Sequence, residues 1–323
     1  MEDEDEPAFR RIVVNAGGHG MRLDRFLSAR FAGRSRAWMA KGIREGRVTD
    51  EAGRALRASA PVREGTALRL YLEGIAPSGP PPAFPPVVYE DDRVVIVDKP
   101  SGMLAHPVGT DFSWGVVSLA KTRWPDRKPD LVHRIDRDTS GLLALTFDAA
   151  ANGFLKARLH DEGTAKEYVA LCKGTAPWES ATLDGPLGLA GGEIRIQMAV
   201  RPDGVTARTG VTVIGRHADP PLTLVRCRIF SGRTHQIRVH LSHAGLPLIG
   251  DRLYGVPPSV FLGFQHDGPT EEGIAAAGAP RQALHAEHLV IPHPSGGMID
   301  VTAPLPPDIA GWWADPSTLP WRR

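Results

Sequence analysis

The sequence predicts an α+β protein in which a mixed, mainly antiparallel central sheet is flanked by helices and preceded by a small α+β module. Two observations support this fold class. Short runs rich in Val and Leu follow one another after residue 86, partly joined by hairpin-type turns such as residues 90–93, with helical patterns between them. A proline-rich stretch separates these runs from a basic N-terminal segment.

Length and composition are those of an ordinary globular protein. The chain has 323 residues, of which 42% are apolar and 23% charged, enough for one large domain and one small module. Cys172 and Cys227 lie in apolar, strand-like runs without Cys/His ligand spacing, so neither a disulfide framework nor a zinc site is expected. No apolar stretch approaches the roughly 18–20 residues of a membrane span. An acidic tip at residues 2–6 predicts a solvated tail and not a signal peptide, so we expect a cytoplasmic protein.

The elements of the small module can be predicted in order along residues 21–73. Leu23, Phe26 and Leu27 fall on one face of a first helix, with arginines opposite. Ser35 is placed to cap a second helix that runs through Ile43. Three short apolar runs, at residue 48, residues 60–62 and residues 68–70, then suggest strands.

This module is strongly basic. Residues 21–70 contain 12 lysines and arginines against five carboxylates, an excess of seven positive charges. Such an excess is the electrostatic footprint of a nucleic-acid binder, although a solvated basic face without a ligand is the alternative. The candidate RNA-binding residues are Arg22, Arg25, Arg34, Arg36, Lys41, Arg44 and Arg47.

The proline-rich stretch marks a domain boundary. Residues 74–86 hold six prolines, which exclude a helix and favour an extended, semi-rigid spacer. We therefore divide the chain into a tail and lead-in (residues 1–20), the module (21–73), the linker (74–86) and a large domain (87–323).

In the large domain the predicted strands cover residues 87–90, 94–98, 141–147, 167–172 and 222–230. Helices are predicted at about residues 149–160 and 234–243. Neither GxGxxG nor GxxxxGK[ST] occurs, so no nucleotide cofactor is expected.

One run carries most of the functional information. Residues 133–143 read His-Arg-Ile-Asp-Arg-Asp-Thr-Ser-Gly-Leu-Leu, which sets Asp136 and Asp138 among arginines directly before an apolar strand. Charged side chains are rarely buried without a partner. The residue types alone therefore leave open a structural ion-pair loop or a site that uses its charge.

Several further segments have distinctive sequences. Residues 94–107 form an apolar strand followed by Asp-Lys-Pro-Ser-Gly and, further on, His-Pro, and residues 166–168 read Lys-Glu-Tyr. Residues 231–241 read Ser-Gly-Arg-Thr-His-Gln-Ile-Arg-Val-His-Leu, and residues 250–255 read Gly-Asp-Arg-Leu-Tyr-Gly. Leu-His-Ala at residues 284–286 and Pro-Leu-Pro at residues 304–306 follow towards the C-terminus.

Together these segments resemble, in their order and in their sequences, the motifs of the RluA-type pseudouridine synthases. These enzymes isomerise uridine to pseudouridine in structured RNA. The resemblance implies that Asp136 is the catalytic nucleophile and that Arg238 is its ionic partner. It also implies that Tyr168 and Ile237 line the active site and that Arg134 fills the gap left by an extruded base. The family needs no cofactor or metal. Large-subunit ribosomal RNA is the favoured substrate, and tRNA is possible. The small module resembles the alpha-L (S-four type) RNA-binding module.

The chemistry fits these residue types. Burial raises the pKa of a carboxyl group, but a guanidinium within ~4–6 Å lowers it by about 1–3 units, so an arginine partner keeps Asp136 ionised. Extruding a uridine costs a few kcal/mol, and stacking on Tyr168 can return about 1–3 kcal/mol. Tyr168 also offers a phenol for proton transfer.

Other interpretations remain open at this stage. A non-catalytic RNA-binding or ribosome-assembly factor with a vestigial site is the main alternative, and a nucleoside hydrolase is a third. Asp138 is expected to pair with an arginine or cap a turn. Structural or RNA-contact roles are expected for His133, His235 and His240. The C-terminal tryptophans are expected to be packing residues: Trp312, Trp313 and Trp321.

Overall fold

The computed structural model describes residues 9–31, 35–71, 81–106, 114–266 and 268–322. Its contacts divide the chain into two compact units, one formed by Met1–Ala83 with His106–Leu119 and the other by Phe84–Ala105 with Ala120–Arg323. The acidic tip, most of the linker (residues 74–80) and Arg34 lie outside the described residues, so the predicted boundaries around residues 73 and 87 stay predictions. Within the described ranges, none of the helices combines the length and apolarity needed to cross a membrane.

The first unit contains a three-stranded antiparallel sheet and two helices. The strands are β1 (Phe9–Val13), β2 (Val48–Asp50) and β3 (Ala67–Tyr71), in the order β1-β3-β2, and the helices are α1 (Leu23–Arg30) and α2 (Arg36–Arg44). The hydroxyl of Ser35 accepts a hydrogen bond from the Trp38 backbone N–H at 3.2 Å, which confirms the predicted cap. The apolar side chains of α1 and α2 meet the sheet in one buried core, as the helical spacing predicts.

One predicted strand in this unit was wrong, and one observed strand was not predicted. Residues 60–62 form no strand and make only an isolated bridge between Pro61 and Arg22, because proline has no N–H with which to extend a ladder. Strand β1 was not predicted. Its five residues contain too short an alternation to stand out, and its pairing partner β3 lies more than 50 residues away along the chain.

The second unit contains the large sheet. Its strands are β4 (Val87–Glu90), β5 (Val94–Lys99), β6 (Asp130–Leu131), β7 (Ser140–Thr146), β8 (Ala165–Lys173), β9 (Ser180–Asp184), β12 (Arg208–His217), β13 (Leu222–Ile229), β14 (Leu284–Pro292) and β15 (Met298–Thr302), with β10 (Leu187–Leu189) and β11 (Met198–Val200) forming a separate two-stranded sheet. The order is β4-β5-β7-β14-β8-β13-β12-β9, with β15 on β14 and β6 on β7. Only the pairing of β7 with β14 is parallel among the described strands, so the mixed, mainly antiparallel α+β fold is confirmed.

Along the remaining described chain the helices are α3 (Val116–Arg123), α4 (Ala149–Arg158), α5 (Gln236–His243), α6 (Pro258–His266), α7 (Glu271–Ala277) and α8 (Pro307–Ala314). Helix α4 contacts β7 and β14, and α5 contacts β9, β11 and β12. The C-terminal tryptophans pack on an apolar cluster of β8, β13 and α8, as predicted.

Strands β5 and β7 each lie between two other strands of the sheet, which suits their mainly apolar sequences. All seven residues of β7 are buried, as are the first four of β5. Both predicted helices of this unit are present, with shifted ends. The first stops at Arg158, and the second begins at Gln236 and not at Thr234, because His235 has a left-handed backbone (φ 56°) that cannot continue a helix.

Candidate active site

The loop between β6 and β7 carries Asp136, and a buried lysine fixes that loop. The Lys99 ammonium donates hydrogen bonds to the carbonyl oxygens of Pro100 (2.9 Å), Met103 (2.8 Å) and Arg137 (2.9 Å). Lys99 is fully buried, and burial lowers its pKa to about 7. One side chain thus ties the end of β5 to the residue after Asp136.

The start of β7 lies unusually close to β14. Gly141 has φ +108°, and a Cβ atom on it would lie 2.2 Å from the carbonyl oxygen of Ala286. Glycine alone meets both demands. This contact sets the parallel pairing of Ser140 with His285 and so positions the loop that ends at β7.

Arg238 joins Asp136 to a second carboxylate. Its Nη1 donates to Asp136 Oδ2 at 2.8 Å, while Nε and Nη2 donate to Asp251 Oδ2 and Oδ1 at 2.7 and 2.9 Å. The Asp251 side chain is fully buried and also accepts the backbone N–H groups of Leu253 and Tyr254. The planar guanidinium is therefore held by a two-point grip on one side and presents its remaining edge to Asp136.

These contacts determine the charge of Asp136. Burial works to raise its pKa, but the Arg238 guanidinium, the nearby His235 and the hydrogen bonds from Arg238 and Gln282 outweigh burial and hold the pKa below the ordinary aspartate value. The Arg238 pKa is raised, because its two carboxylate partners outweigh burial. Asp136 is consequently an anion at neutral pH although its surroundings are largely buried.

Within the described residues, the side-chain contacts of the Asp136 carboxylate fall on one oxygen. Arg238 Nη1 lies 2.8 Å, Gln282 Nε2 3.5 Å and His235 Nε2 4.0 Å from Oδ2. The Asp136 side chain is 31% exposed and lines an open pocket. The carboxylate therefore keeps an oxygen, Oδ1, that these side chains do not contact.

An open pocket of about 450 Å³ surrounds Asp136. Tyr168 on β8 is buried, and burial with the nearby Asp136 charge raises its pKa, so its phenol keeps its proton at neutral pH. Ile237 contributes an apolar wall, and Arg134 is exposed at the rim. The structure thus brings together all five residues that the motif pattern singles out, and their lining neighbours include Ile135, Thr139, Ile229, Arg233 and Leu284.

The remaining polar residues of the motifs have structural partners. Asp138 lies 3.6 Å from Arg137 Nε and 3.7 Å from Arg252 Nη1, in agreement with the predicted arginine pairing. His240 is fixed between the Thr209 hydroxyl (2.9 Å) and the Gly185 carbonyl (2.9 Å), a structural role.

His133 is likewise structural. Its Nε2 accepts the Ala144 backbone N–H at 3.3 Å, and burial lowers its pKa to about 3. His235 differs from the other two histidines, because its ring lines the pocket beside Asp136.

The described RNA-binding candidates of the first unit lie at its surface, and several have acidic neighbours. Arg22 pairs with the buried Asp24 at 2.8 Å, and Arg36 lies 3.9 Å from the same carboxylate. Lys41 and Arg47 both pair with Glu45. Arg25 and Arg44 are exposed. The Lys41–Glu45 pair is exposed and therefore weak, so Lys41 stays accessible at the surface together with Arg25 and Arg44.

Two residues of the site were not assigned by the sequence analysis. Asp251 lies in the Gly-Asp-Arg-Leu-Tyr-Gly segment of residues 250–255. The sequence of this motif does not by itself assign a role to the carboxylate. Gln282 donates to Thr139 Oγ1 at 2.6 Å as well as to Asp136, and it stands two residues before the Leu-His-Ala segment. For Gln282 the sequence offers only its proximity to a motif, because a single uncharged amide side chain does not stand out in a charge pattern.

Known proteins resemble this chain over nearly its whole length. The family model of RNA pseudouridylate synthases matches residues 93–243, a range that contains Asp136, Tyr168 and Arg238. An uncharacterized RNA pseudouridine synthase of Chloroflexus aurantiacus is 36% identical over 93% of this chain and 91% of its own. The ribosomal large subunit pseudouridine synthase D of Xanthomonas campestris is 33% identical (94% and 91%), and synthase C of Escherichia coli is 32% identical (93% and 94%).

A solved structure agrees with these relatives. Human RNA Pseudouridylate Synthase Domain Containing 1 superposes with a TM-score of 0.53 at 25% identity and covers 70% of this chain and 86% of its own. Its fold, the three sequence relatives and the family model all indicate the same group of isomerases. The chain therefore belongs to the RluA-type family of RNA pseudouridine synthases.

Proposed function

We propose that this enzyme isomerises uridine to pseudouridine in large-subunit ribosomal RNA, with Asp136 as the nucleophile acting on a flipped-out base. The reaction breaks the bond between C1′ of the ribose and N1 of uracil, turns the ring over and rejoins C1′ to C5; C5 loses its proton and N1 gains one, so the product is an isomer of the substrate. No redox change accompanies it. The protein must therefore supply an anionic nucleophile, a pocket for one base and a grip on the RNA.

The observation that carries the proposal is the state of Asp136. Its carboxylate is ionised by Arg238 and still exposed to a pocket that could hold a pyrimidine. An ion pair with only a structural purpose would satisfy both carboxylate oxygens inside the protein. Here the side-chain contacts of the described residues are all on Oδ2.

Arg134 and Tyr168 have complementary proposed roles. A uridine must leave its stack before it can reach Asp136, which costs a few kcal/mol. Arg134 is exposed two residues before the nucleophile, where it could occupy the vacated position in the RNA. The buried, neutral Tyr168 offers a ring face against which the extruded base could stack.

Ribosomal RNA is the proposed substrate because the Xanthomonas and Escherichia relatives are named as pseudouridine synthases of the ribosomal large subunit. The first unit would add affinity. We propose that it acts as the alpha-L RNA-binding module that its sequence resembles, with the exposed cations of α1 and α2 contacting phosphates.

The test is a pseudouridine map of total RNA from a strain that lacks this gene. The map is compared with those of strains complemented by wild type, by Asp136→Asn and by Asp138→Asn. The second variant is a matched control, because it removes a neighbouring loop carboxylate that pairs with Arg137 and Arg252 and not with Arg238. Each complement is checked for equal expression.

We expect one or a few sites in large-subunit RNA to vanish on deletion and to return with wild type and Asp138→Asn only. Sites confined to tRNA would correct the substrate and leave the chemistry intact. A different result would indicate a non-catalytic RNA-binding factor: the deletion loses no pseudouridine, and Asp136→Asn restores the growth of the deletion strain as fully as wild type does.

A further inference from the structure

His235 stands out in the pocket because its backbone is strained. It is the only non-glycine residue with a positive φ (56°) in the part of the chain that the structure describes. Left-handed backbone is unfavourable for most residues and tends to persist where function requires it. Its consequence here is that the imidazole lies beside Asp136, with Nε2 at 4.0 Å from Oδ2.

Tyr254 determines which ring nitrogen of His235 carries the proton. The Tyr254 oxygen lies 2.8 Å from His235 Nδ1 and already accepts the backbone N–H of Met198 at 3.0 Å. Tyr254 is buried, and a buried hydroxyl proton without an acceptor costs about 1–3 kcal/mol. Tyr254 therefore donates to Nδ1, and the proton of the neutral ring is on Nε2.

The charge around the ring supports the same assignment. Burial and the neighbouring Arg238 lower the pKa of His235 to about 4, so the ring is neutral at neutral pH. An Nε2–H group faces the Asp136 anion favourably, whereas a lone pair there would be repelled. At 4.0 Å the pair is too long for a hydrogen bond, and no acceptor for Nε2 occurs among the residues that the structure describes.

We propose that His235 is a further catalytic residue, whose Nε2–H donates a hydrogen bond to a carbonyl oxygen of the target uracil. This inference rests on the proposed function. Whether the carboxylate attacks the sugar or the ring, negative charge develops on a uracil carbonyl oxygen, and a fixed neutral donor stabilises it. His235 neither gains nor loses a proton, and without a lone pair towards the pocket it cannot remove the proton from C5.

The test combines three variants with substituted RNA. His235→Asn removes the imidazole donor, and asparagine tolerates a left-handed backbone. Tyr254→Phe removes only the hydroxyl that fixes the tautomer of His235. His243→Asn, at the exposed C-terminal end of α5, is the control. Single-turnover rates are measured with saturating enzyme on an RNA fragment that contains the mapped uridine. The measurement is repeated with 2-thiouridine or 4-thiouridine at that position, because sulfur is a weak hydrogen-bond acceptor.

We expect His235→Asn to lower the single-turnover rate about 10²–10³-fold, Tyr254→Phe to lower it less, and His243→Asn to leave it unchanged. One of the two thio substitutions should slow wild type and have little further effect on His235→Asn. If wild type turns over the natural fragment while His235→Asn keeps its rate and thio sensitivity, the inference fails and the proposed function stands. An inactive wild type would instead overturn the proposed function.

A spectroscopic measurement is independent of turnover. In protein labelled with ¹⁵N-histidine, we expect the His235 signals at neutral pH to show a protonated Nε2 and an unprotonated Nδ1, and Tyr254→Phe to perturb them. A protonated Nδ1 in wild type would overturn the assignment even if the variants misfold.

Discussion

Arg238 serves two carboxylates with different edges of one guanidinium. The edge that faces Asp251 is gripped at two points inside the protein, and a single N–H remains for Asp136. Arginine suits this position because its fork is planar and always charged, whereas a lysine ammonium could not hold two carboxylates in fixed directions. Arg238 thus keeps Asp136 ionised, and Asp251 fixes the direction of that arginine.

The first prediction concerns ionisation. With Arg238 present the pKa of Asp136 lies below its ordinary value, so the carboxylate stays ionised and activity should persist towards acid pH. In Arg238→Gln burial prevails, and the pKa should rise above the ordinary aspartate value of about 3.9. We expect kcat to fall about 10²–10³-fold and the acid limb of the kcat/KM profile to move to higher pH.

The control for this prediction is Arg226→Gln, which removes an arginine that pairs with Glu287 on another part of the sheet. It should keep the wild-type pH profile. An unchanged acid limb in Arg238→Gln would show that another group keeps Asp136 ionised.

The second prediction concerns Asp251. Breaking a buried ion pair destabilises proteins by about 3–5 kcal/mol, and Asp251→Asn would weaken the grip on Arg238 while Asp136 still balances part of its charge. We therefore expect a loss of apparent unfolding free energy towards the lower end of that range, measured in urea, together with reduced kcat and little change in KM. Wild-type stability and turnover would contradict the positioning role of Asp251.

At the scale of elements, the position of Asp136 depends on the contact between β7 and β14. β7 is buried along its length and enters the sheet beside a strand that comes more than 140 residues later. Gly141 permits this close approach. The position of the Asp136 loop therefore depends on the position of the first residues of β7.

The third prediction tests that contact. Gly141→Ala would place a methyl group against the Ala286 carbonyl at a backbone angle that alanine rarely adopts, and we expect a destabilisation of at least about 3 kcal/mol. Gly153→Ala in α4 is the matched control, because its Cβ would meet no atom within 4 Å and should stabilise the helix by about 0.5–1 kcal/mol. The thermal unfolding midpoint separates the two, and equal midpoints would show that the close approach is not required.

At the scale of the whole molecule, the chain combines an almost neutral net charge of +1 with a strongly basic segment. The acidic tip and the carboxylates of the large unit offset that segment in the total. Net charge therefore conceals the local excess of seven positive charges in residues 21–70.

The fourth prediction follows from this charge distribution. If the first unit contacts phosphates, log affinity for the RNA substrate should fall linearly with log salt, and removing each contacting cation should reduce the slope by about 1. We expect Arg25→Ala with Arg44→Ala to weaken binding and flatten the slope, with kcat at saturating RNA unchanged. Glu51→Gln is a control that alters charge without removing a cation. A slope that the double variant leaves unchanged would exclude these arginines from the interface.

Much of the large unit could be predicted because its strands are long apolar runs. Burial of such a run is favourable in any sheet, so β5, β7, β8 and β13 were predicted within about one or two residues. Helix α2 was predicted with its cap, because a serine before an amphipathic segment acts through neighbouring backbone groups. These features depend on interactions within a few residues.

Strand β1 and the residue roles of Asp251 and Gln282 could not be predicted in this way. The strand exists through its partner β3, and the two side chains matter because of what distant segments bring beside them. Gln282 is 146 residues from Asp136 in the chain, yet it donates to its carboxylate. No local pattern of polarity records such a contact.

The sequence by itself determined the family, the fold class and the identity of the residues around Asp136, because those depend on the motif sequences, on hydrophobic periodicity and on charge. The tertiary structure alone decided how they are arranged: that Arg238 is shared with Asp251, that the side-chain contacts of the described residues fall on one oxygen of Asp136, and that the Tyr254 oxygen contacts His235 Nδ1. The physical reason is that hydrogen-bond direction and proton position depend on distances of a few ångströms between segments far apart in the chain.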